Sequence, residues 1–331
     1  EEGYLSANSS FIWVAAAERL AAMAAAMGDD EAADTLLARA GEVRSAANEK
    51  YLNDKGWYAP YEHEKNGLAP APFEDVNLKP LWTGYMPPDA ELALNNLEQT
   101  IAVIGGKDGI LVSPLPAAYA NFMDLPVSEG FYTGMSPGYF LSNLAMTHHP
   151  LAEAAFNALA LHSQAGGSLA EYQILDDFTP AHLIYDNVGA IGDYTARYRP
   201  WEGGIVGDAA YDYLLGNTAD GLNGKLALAP NLPNGWAWLE AANIRCGDSR
   251  INLRLDKKGD NTTVTLTHME GPGLTVVISL PLDDGSTNAA ALVDGVEVAP
   301  EMETYRWGNL RAHFPTFELP PEGTVTLLLM E

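Results

Sequence analysis

The chain has 331 residues, 47% hydrophobic and 19% charged, a composition suited to a folded globular protein with enough apolar side chains for two cores. Its 44 Asp and Glu against 18 Lys and Arg give a formal net charge of −26, which disfavours nucleic acid and anionic lipid and suits a neutral substrate. The alanine-rich stretch from Val14 to Met27 is interrupted by Glu18 and Arg19, so no membrane span is expected, and Cys246 as the one cysteine excludes an internal disulfide or a cysteine metal cluster. No metal or other cofactor is expected, and the compartment is left open.

In chain order, Asn8, Ser9 and Ser10 are placed to cap an apolar helix from Phe11 to Met27, which Gly28 stops. Asp29 and Asp30 cap a second helix, from Glu31 to Leu52, where Ala33, Leu36, Leu37, Ala40, Val43 and Ala47 recur at helical spacing. The two form an antiparallel hairpin. A long irregular segment, Asn53 to Pro88, follows; Trp57, Tyr58, Tyr61, Phe73, Trp82 and Tyr85 make it too aromatic for disorder, and it suits either carbohydrate contact or the capping of a core. A third helix runs from Pro88 and Asp89 to Ile104, ending at Gly105 and Gly106.

A glycine and aromatic loop, Glu129 to Gly138, opens onto a helix from Tyr139 to Thr147, and Pro150 turns it into another from Leu151 to Ser163. His148 and His149, adjacent and ahead of Pro150, read as an exposed helix terminus rather than a metal pair. Gly166 and Gly167 then stop the helix, which places Glu171 in a loop just past its end. On these residues alone Glu171 is either a solvated loop carboxylate or the centre of a site. Arg199 and Pro200 lead into a last helix, Trp201 to Leu215, with Glu202 in its first turn.

The pattern changes after Gly216. Asn217 to Lys225 reads as a polar linker, and from Leu226 the alternation of Ile251, Leu253 and Leu255, then Val264 and Leu266, Leu274 to Leu280 and Val325 to Leu329, predicts strands. About six helices therefore precede a small antiparallel β-sandwich, with Trp236 and Trp238 expected to pack the sandwich against the helices.

Three short motifs resemble the glucoamylase-like, six-hairpin glycoside hydrolases. Glu1 and Glu2 ahead of Asn8, Ser9, Ser10 and Phe11 are similar to the paired glutamates and Asn-Ser-Ser-Phe of glucoamylases, at a spacing a few residues longer. Gly167, Ser168, Leu169, Ala170 and Glu171 are similar to the segment carrying that family's general base, and Arg199 to Trp201 resembles a Leu-Thr-Trp element, with Glu202 in place of its serine. Leu228 to Gly235 also looks like the barrel-to-sandwich junction of rhamnosidases, debranching enzymes and disaccharide phosphorylases.

The resemblance implies an (α/α)6 toroid of which residues 1–225 are the C-terminal half, followed by a β-sandwich at 226–331, with an N-terminal region of the same polypeptide missing. It implies an inverting glycosidase with Glu171 as general base, Glu1 or Glu2 as general acid, and Glu129 and Glu202 in reserve. Trp201, Tyr132, Trp82, Tyr172 and Arg199 are the expected carbohydrate contacts. A polysaccharide lyase is the competing enzyme class, but one acting on uronates needs a basic cleft that 18 Lys and Arg do not readily build. A non-catalytic carbohydrate-binding part of a larger enzyme is the third reading.

Overall fold

The computed structural model describes residues 6–60, 62–63, 67–69, 74–104, 131–165, 172–174, 184–185, 190–191, 200–283, 286 and 289–331. The chain forms two compact units, one of residues 1–147 with 151–210 and the other of 148–150 with 211–331.

Seven helices are found among the described residues: α1 (Ala7–Ala26), α2 (Asp30–Tyr51), α3 (Glu74–Trp82), α4 (Glu91–Ile104), α5 (Ser136–Met146), α6 (Ala152–Ala165) and α7 (Pro200–Leu215). The first unit is built on α1 to α6 and the greater part of α7, whose last residues, from Tyr211, belong to the second. α1 starts one turn earlier than expected, at Ala7, so Asn8, Ser9 and Ser10 lie inside it. No side chain caps this end; the Ala7 amide donates instead to the Pro60 carbonyl at 3.0 Å, a partner too distant in sequence to leave a local signal. Asp29 caps α2 as expected, its carboxylate accepting from the Ala32 amide at 3.0 Å. α2 buries Ala33, Ala40 and Ala47 at seven-residue intervals, and α1 buries Ala15, Ala17 and Ala21, so these two helices meet through small side chains.

α3 lies within the segment read as irregular and is a helix beyond the six expected, all among the described residues. Pro80 sits inside it and hides it, since proline removes a helical donor and ordinarily signals a break. Three asparagines secure it. Asn77 accepts from the Tyr58 amide (2.8 Å) and donates to the Tyr58 carbonyl (2.9 Å), Asn96 on α4 donates to Asn77 (3.0 Å), and Asn143 on α5 donates to the Leu78 carbonyl (2.7 Å). Buried backbone groups need such partners, and these amides tie α3, α4 and α5 together.

Short ribbons accompany the helices: β1 (Glu62–His63) pairs with β2 (Gly67–Leu68), β3 (Phe131–Thr133) with β4 (Tyr172–Ile174), and β5 (Ile184–Tyr185) with β6 (Ala190–Ile191).

The second unit carries β7 (Thr218–Asp220), β8 (Lys225–Leu228), β9 (Trp238–Cys246), β10 (Ser249–Lys258), β11 (Asn261–Glu270), β12 (Leu274–Pro281), β13 (Ala290–Val293), β14 (Val296–Val298), β15 (Glu301–Thr304), β16 (Leu310–His313), β17 (Phe317–Leu319) and β18 (Thr324–Met330). One sheet runs β14-β13-β18-β11-β10-β9 and the other β15-β16-β12-β8-β7, with β17 also on β12. The expected alternation holds: Ile251, Leu253 and Leu255 point inward on β10, Val264 and Leu266 on β11, and Leu327 and Leu329 on β18, joining Val276, Ile278 and Leu280 of β12 in one core.

Several local expectations change. The stretch read as a linker is a hairpin, β7 against β8, whose turn is set by Asp220 accepting from the Asn223 amide and side chain. β8 pairs with β12 in parallel, so the sheets are not wholly antiparallel; the intervening β9, β10 and β11 supply the long connection that parallel pairing requires. Trp236 and Trp238 remain about half exposed rather than packed away. His149 is buried against Trp307, with ring centres 4.3 Å apart, and His148 faces Tyr305 at 4.5 Å, so the pair is not an exposed terminus.

Candidate active site

Glu171, Glu1, Glu2, Glu129 and Arg199 lie outside the described residues. The elements around them in sequence are described. β3 and β4 pair antiparallel, with Tyr132 opposite Gln173 and Thr133 opposite Tyr172, the residue that follows Glu171 in sequence. The ribbon therefore joins the strand leading into α5 to the strand whose first residue follows Glu171 in sequence, two segments about forty residues apart.

Trp82 ends α3 and is half-buried, its ring meeting Tyr139 of α5 edge-on at 4.6 Å. Lys79, one turn earlier on α3, is 7% exposed with its Nζ 5.6 Å from the centre of the same Tyr139 ring. Burying a lysine is costly unless its charge is compensated, and an aromatic face supplies part of that compensation. Lys79 carries no signal of its own in the sequence; that of α3 is the acidic pair Glu74 and Asp75, the charge preferred in a first turn.

At the other candidate element, α7, Trp201 is 48% exposed, whereas Glu202 in the same first turn is fully buried. A helix N-terminus favours a carboxylate through its unpaired amides and dipole. Gly138 on α5 lies against Ile205 of α7: a Cβ there would stand 2.7 Å from the Ile205 Cγ2 and 3.0 Å from its carbonyl oxygen. The absent side chain is what allows the two helices to approach.

The first unit also holds an aromatic and polar cluster. Phe11 meets Tyr58 at 4.9 Å and Tyr85 at 4.7 Å, and both tyrosine hydroxyls donate to Asn48 Oδ1 at 2.7 Å. Burial pushes the Tyr85 phenol up to about 12, with Arg44 pulling the other way, and burial raises Tyr58 as well. These phenols stay protonated, as donors to Asn48 must. Among the described residues no cluster of His, Cys, Asp and Glu could hold a metal ion, and no helix is long and apolar enough to cross a membrane.

Residues 220–279 match the family model described as glycosyl hydrolase family 65, C-terminal domain. The fold is similar to that of an alpha-L-rhamnosidase from Dictyoglumus thermophilum, with a TM-score of 0.56 and 13% identity over 95% of this chain. It is similar also to a Streptomyces avermitilis alpha-L-rhamnosidase complexed with L-rhamnose (TM-score 0.54, 14% identity, 95% of this chain) and to a family 78 rhamnosidase of Bacillus sp. GL1 (0.51, 16%, 82%). The chain spans 31%, 26% and 25% of those three chains. A comparison with the curated proteins finds no match. The family model and the shared fold relate the chain to the six-hairpin glycoside hydrolase clan, with a β-sandwich as its C-terminal domain. Within the helical unit, the described residues form helices and short ribbons as set out above.

Proposed function

We propose that this chain is part of a glycoside hydrolase, acting on an O-glycosyl bond of an oligo- or polysaccharide with inversion. In this reading residues 1–225 are the C-terminal half of an (α/α)6 toroid, residues 226–331 its sandwich, and a preceding region of the same polypeptide completes the substrate pocket. The observation that carries it is the β3–β4 register, which pairs Thr133 with the residue after Glu171 in a helical unit whose fold the rhamnosidases share.

Inversion needs two carboxyl groups on opposite sides of the sugar, roughly 6.5 to 9.5 Å apart so that a water fits beneath the ring. Glu171 is assigned as the base that takes a proton from that water, and Glu1 or Glu2 as the acid that protonates the departing oxygen; Glu129 and Glu202 stay in reserve. Trp201, Tyr132, Trp82, Tyr172 and Arg199 are the proposed carbohydrate contacts. The neutral α-linked sugars are preferred to uronates because the chain carries 44 acidic side chains.

The acid and the base separate in one experiment on the polypeptide with its upstream region. On α-L-rhamnosides and α-linked gluco-oligosaccharides, replacing the acid, Glu1→Gln or Glu2→Gln, should lower turnover with a sugar leaving group and spare a fluoride leaving group, which needs no proton. Glu171→Gln should lower both. Equal losses on the two leaving groups for both Glu1→Gln and Glu2→Gln would remove the acid assignment. The competing reading, a non-catalytic carbohydrate-binding part of a larger enzyme, is favoured by the chain spanning 31% of its rhamnosidase neighbour.

A further inference from the structure

The outer face of the second unit carries an arrangement that the catalytic reading does not use. β9 is last in its sheet, and its first residue, Trp238, is 54% exposed. The register puts Trp238 directly across from Asp256 on β10 and Glu240 directly across from Arg254. The Arg254 guanidinium carbon stands 5.0 Å from the centre of the Trp238 ring. It is locked there: Nε and Nη2 donate to the two Asp256 oxygens at 2.8 and 2.7 Å, and Nη1 donates to Glu240 at 3.1 Å. Cross-strand pairs of this kind fix side chains relative to one another before any ligand arrives.

We propose that this face is a saccharide-binding surface formed within the second unit, with Trp238 as its stacking platform and the Arg254–Asp256 pair as its hydrogen-bonding arm. The indole keeps about half its surface in water although the guanidinium covers part of it, so an apolar plane is open. Beside that plane stand half-exposed carboxylates and a guanidinium held in fixed geometry, then the outward hydroxyls of Thr263 and Thr265 on β11. A pyranose presents the same two textures, a face of C–H groups and a rim of vicinal hydroxyls that both donate and accept. Charge selects among ligands. One guanidinium against two carboxylates leaves the patch slightly negative, which disfavours an anionic ligand, and a protein partner would need more apolar area than one indole offers.

The test is saturation-transfer NMR on the whole chain with maltohexaose and cellohexaose as neutral probes and a hexagalacturonate as the anionic one. At least one neutral probe should bind and the anionic one should not. Trp238→Ala should weaken that binding about tenfold or more, the scale of one aromatic stacking contact. Asp256→Asn, which preserves volume, should weaken it several-fold, and Glu31→Ala, an exposed change on α2, should leave it unchanged; turnover of Glu171→Gln reads the catalytic proposal by itself, so failure of the catalytic reading and failure of this one are distinguishable. Binding unaltered in Trp238→Ala, binding weakened as much in Glu31→Ala, preference for the anionic probe, or no binding of either neutral probe would each overturn the proposal.

Discussion

Asn48 tests the helical unit with a single amide. Its Oδ1 accepts from two tyrosine hydroxyls, so Asn48→Ala removes the shortest acceptor of each and leaves Tyr85 only the Arg44 carbonyl at 3.2 Å and Tyr58 only the Met86 sulfur at 3.9 Å. Losing each short hydrogen bond costs roughly 1 kcal/mol, and a loss of about 2 kcal/mol is expected in urea unfolding, with much less for a surface change such as Glu31→Ala. His148 makes a prediction in pH. Burial first, then the Arg311 guanidinium and His313, hold its imidazole down to about 3, below the ordinary histidine value of 6.5. The unfolded chain therefore binds the proton more readily, and this group's contribution to stability is full above about pH 6.5 and is lost progressively as pH falls toward 3. Since His148 has a φ of 53°, His148→Asn keeps a residue that tolerates the left-handed region while removing the titration. The variant's unfolding midpoint should fall less steeply between pH 6.5 and 4 than the parent's; parallel curves would refute the assignment.

Helix crossings and sheet faces set the larger effects. Gly138→Ala drives a methyl to 2.7 Å from Ile205 and should lower stability by about 1 to 3 kcal/mol, seen as a drop in Tm. Leu253→Ala, in the sandwich core, should cost about 2 to 5 kcal/mol, whereas the outward neighbour Asn252→Ala should cost far less. The strands were legible in the sequence because one face is buried and the period of two repeats over Ile251, Leu253 and Leu255. Their pairing direction was not, since β8 and β12 carry the same pattern whether parallel or antiparallel. α3 escaped because Pro80 mimics a break, and Lys79 escaped with it. The cap on α1 escaped for a different reason, being a carbonyl 53 residues away. Of the candidate site, aromatic positions such as Trp82 could be picked out as contacts, but its packing against Tyr139 depends on α3 and α5 meeting in space.

On the scale of the molecule, the chain spans about a third of the Dictyoglumus rhamnosidase while almost all of it aligns there. On the proposed toroid, residues 1–225 supply only part of a pocket, and the chain alone should show no turnover on α-linked sugars. Full activity of the chain by itself would contradict that.

The most direct measurement is the anomeric configuration of the first product, followed by proton NMR as the polypeptide with its upstream region cleaves an α-linked gluco-oligosaccharide, beside its Glu171→Gln variant. An α linkage should yield the β sugar, and Glu171→Gln should lose at least about a hundredfold in turnover, the usual worth of general base catalysis. Release of the α sugar, an unsaturated product absorbing in the ultraviolet, or undiminished turnover in Glu171→Gln would contradict the proposed mechanism.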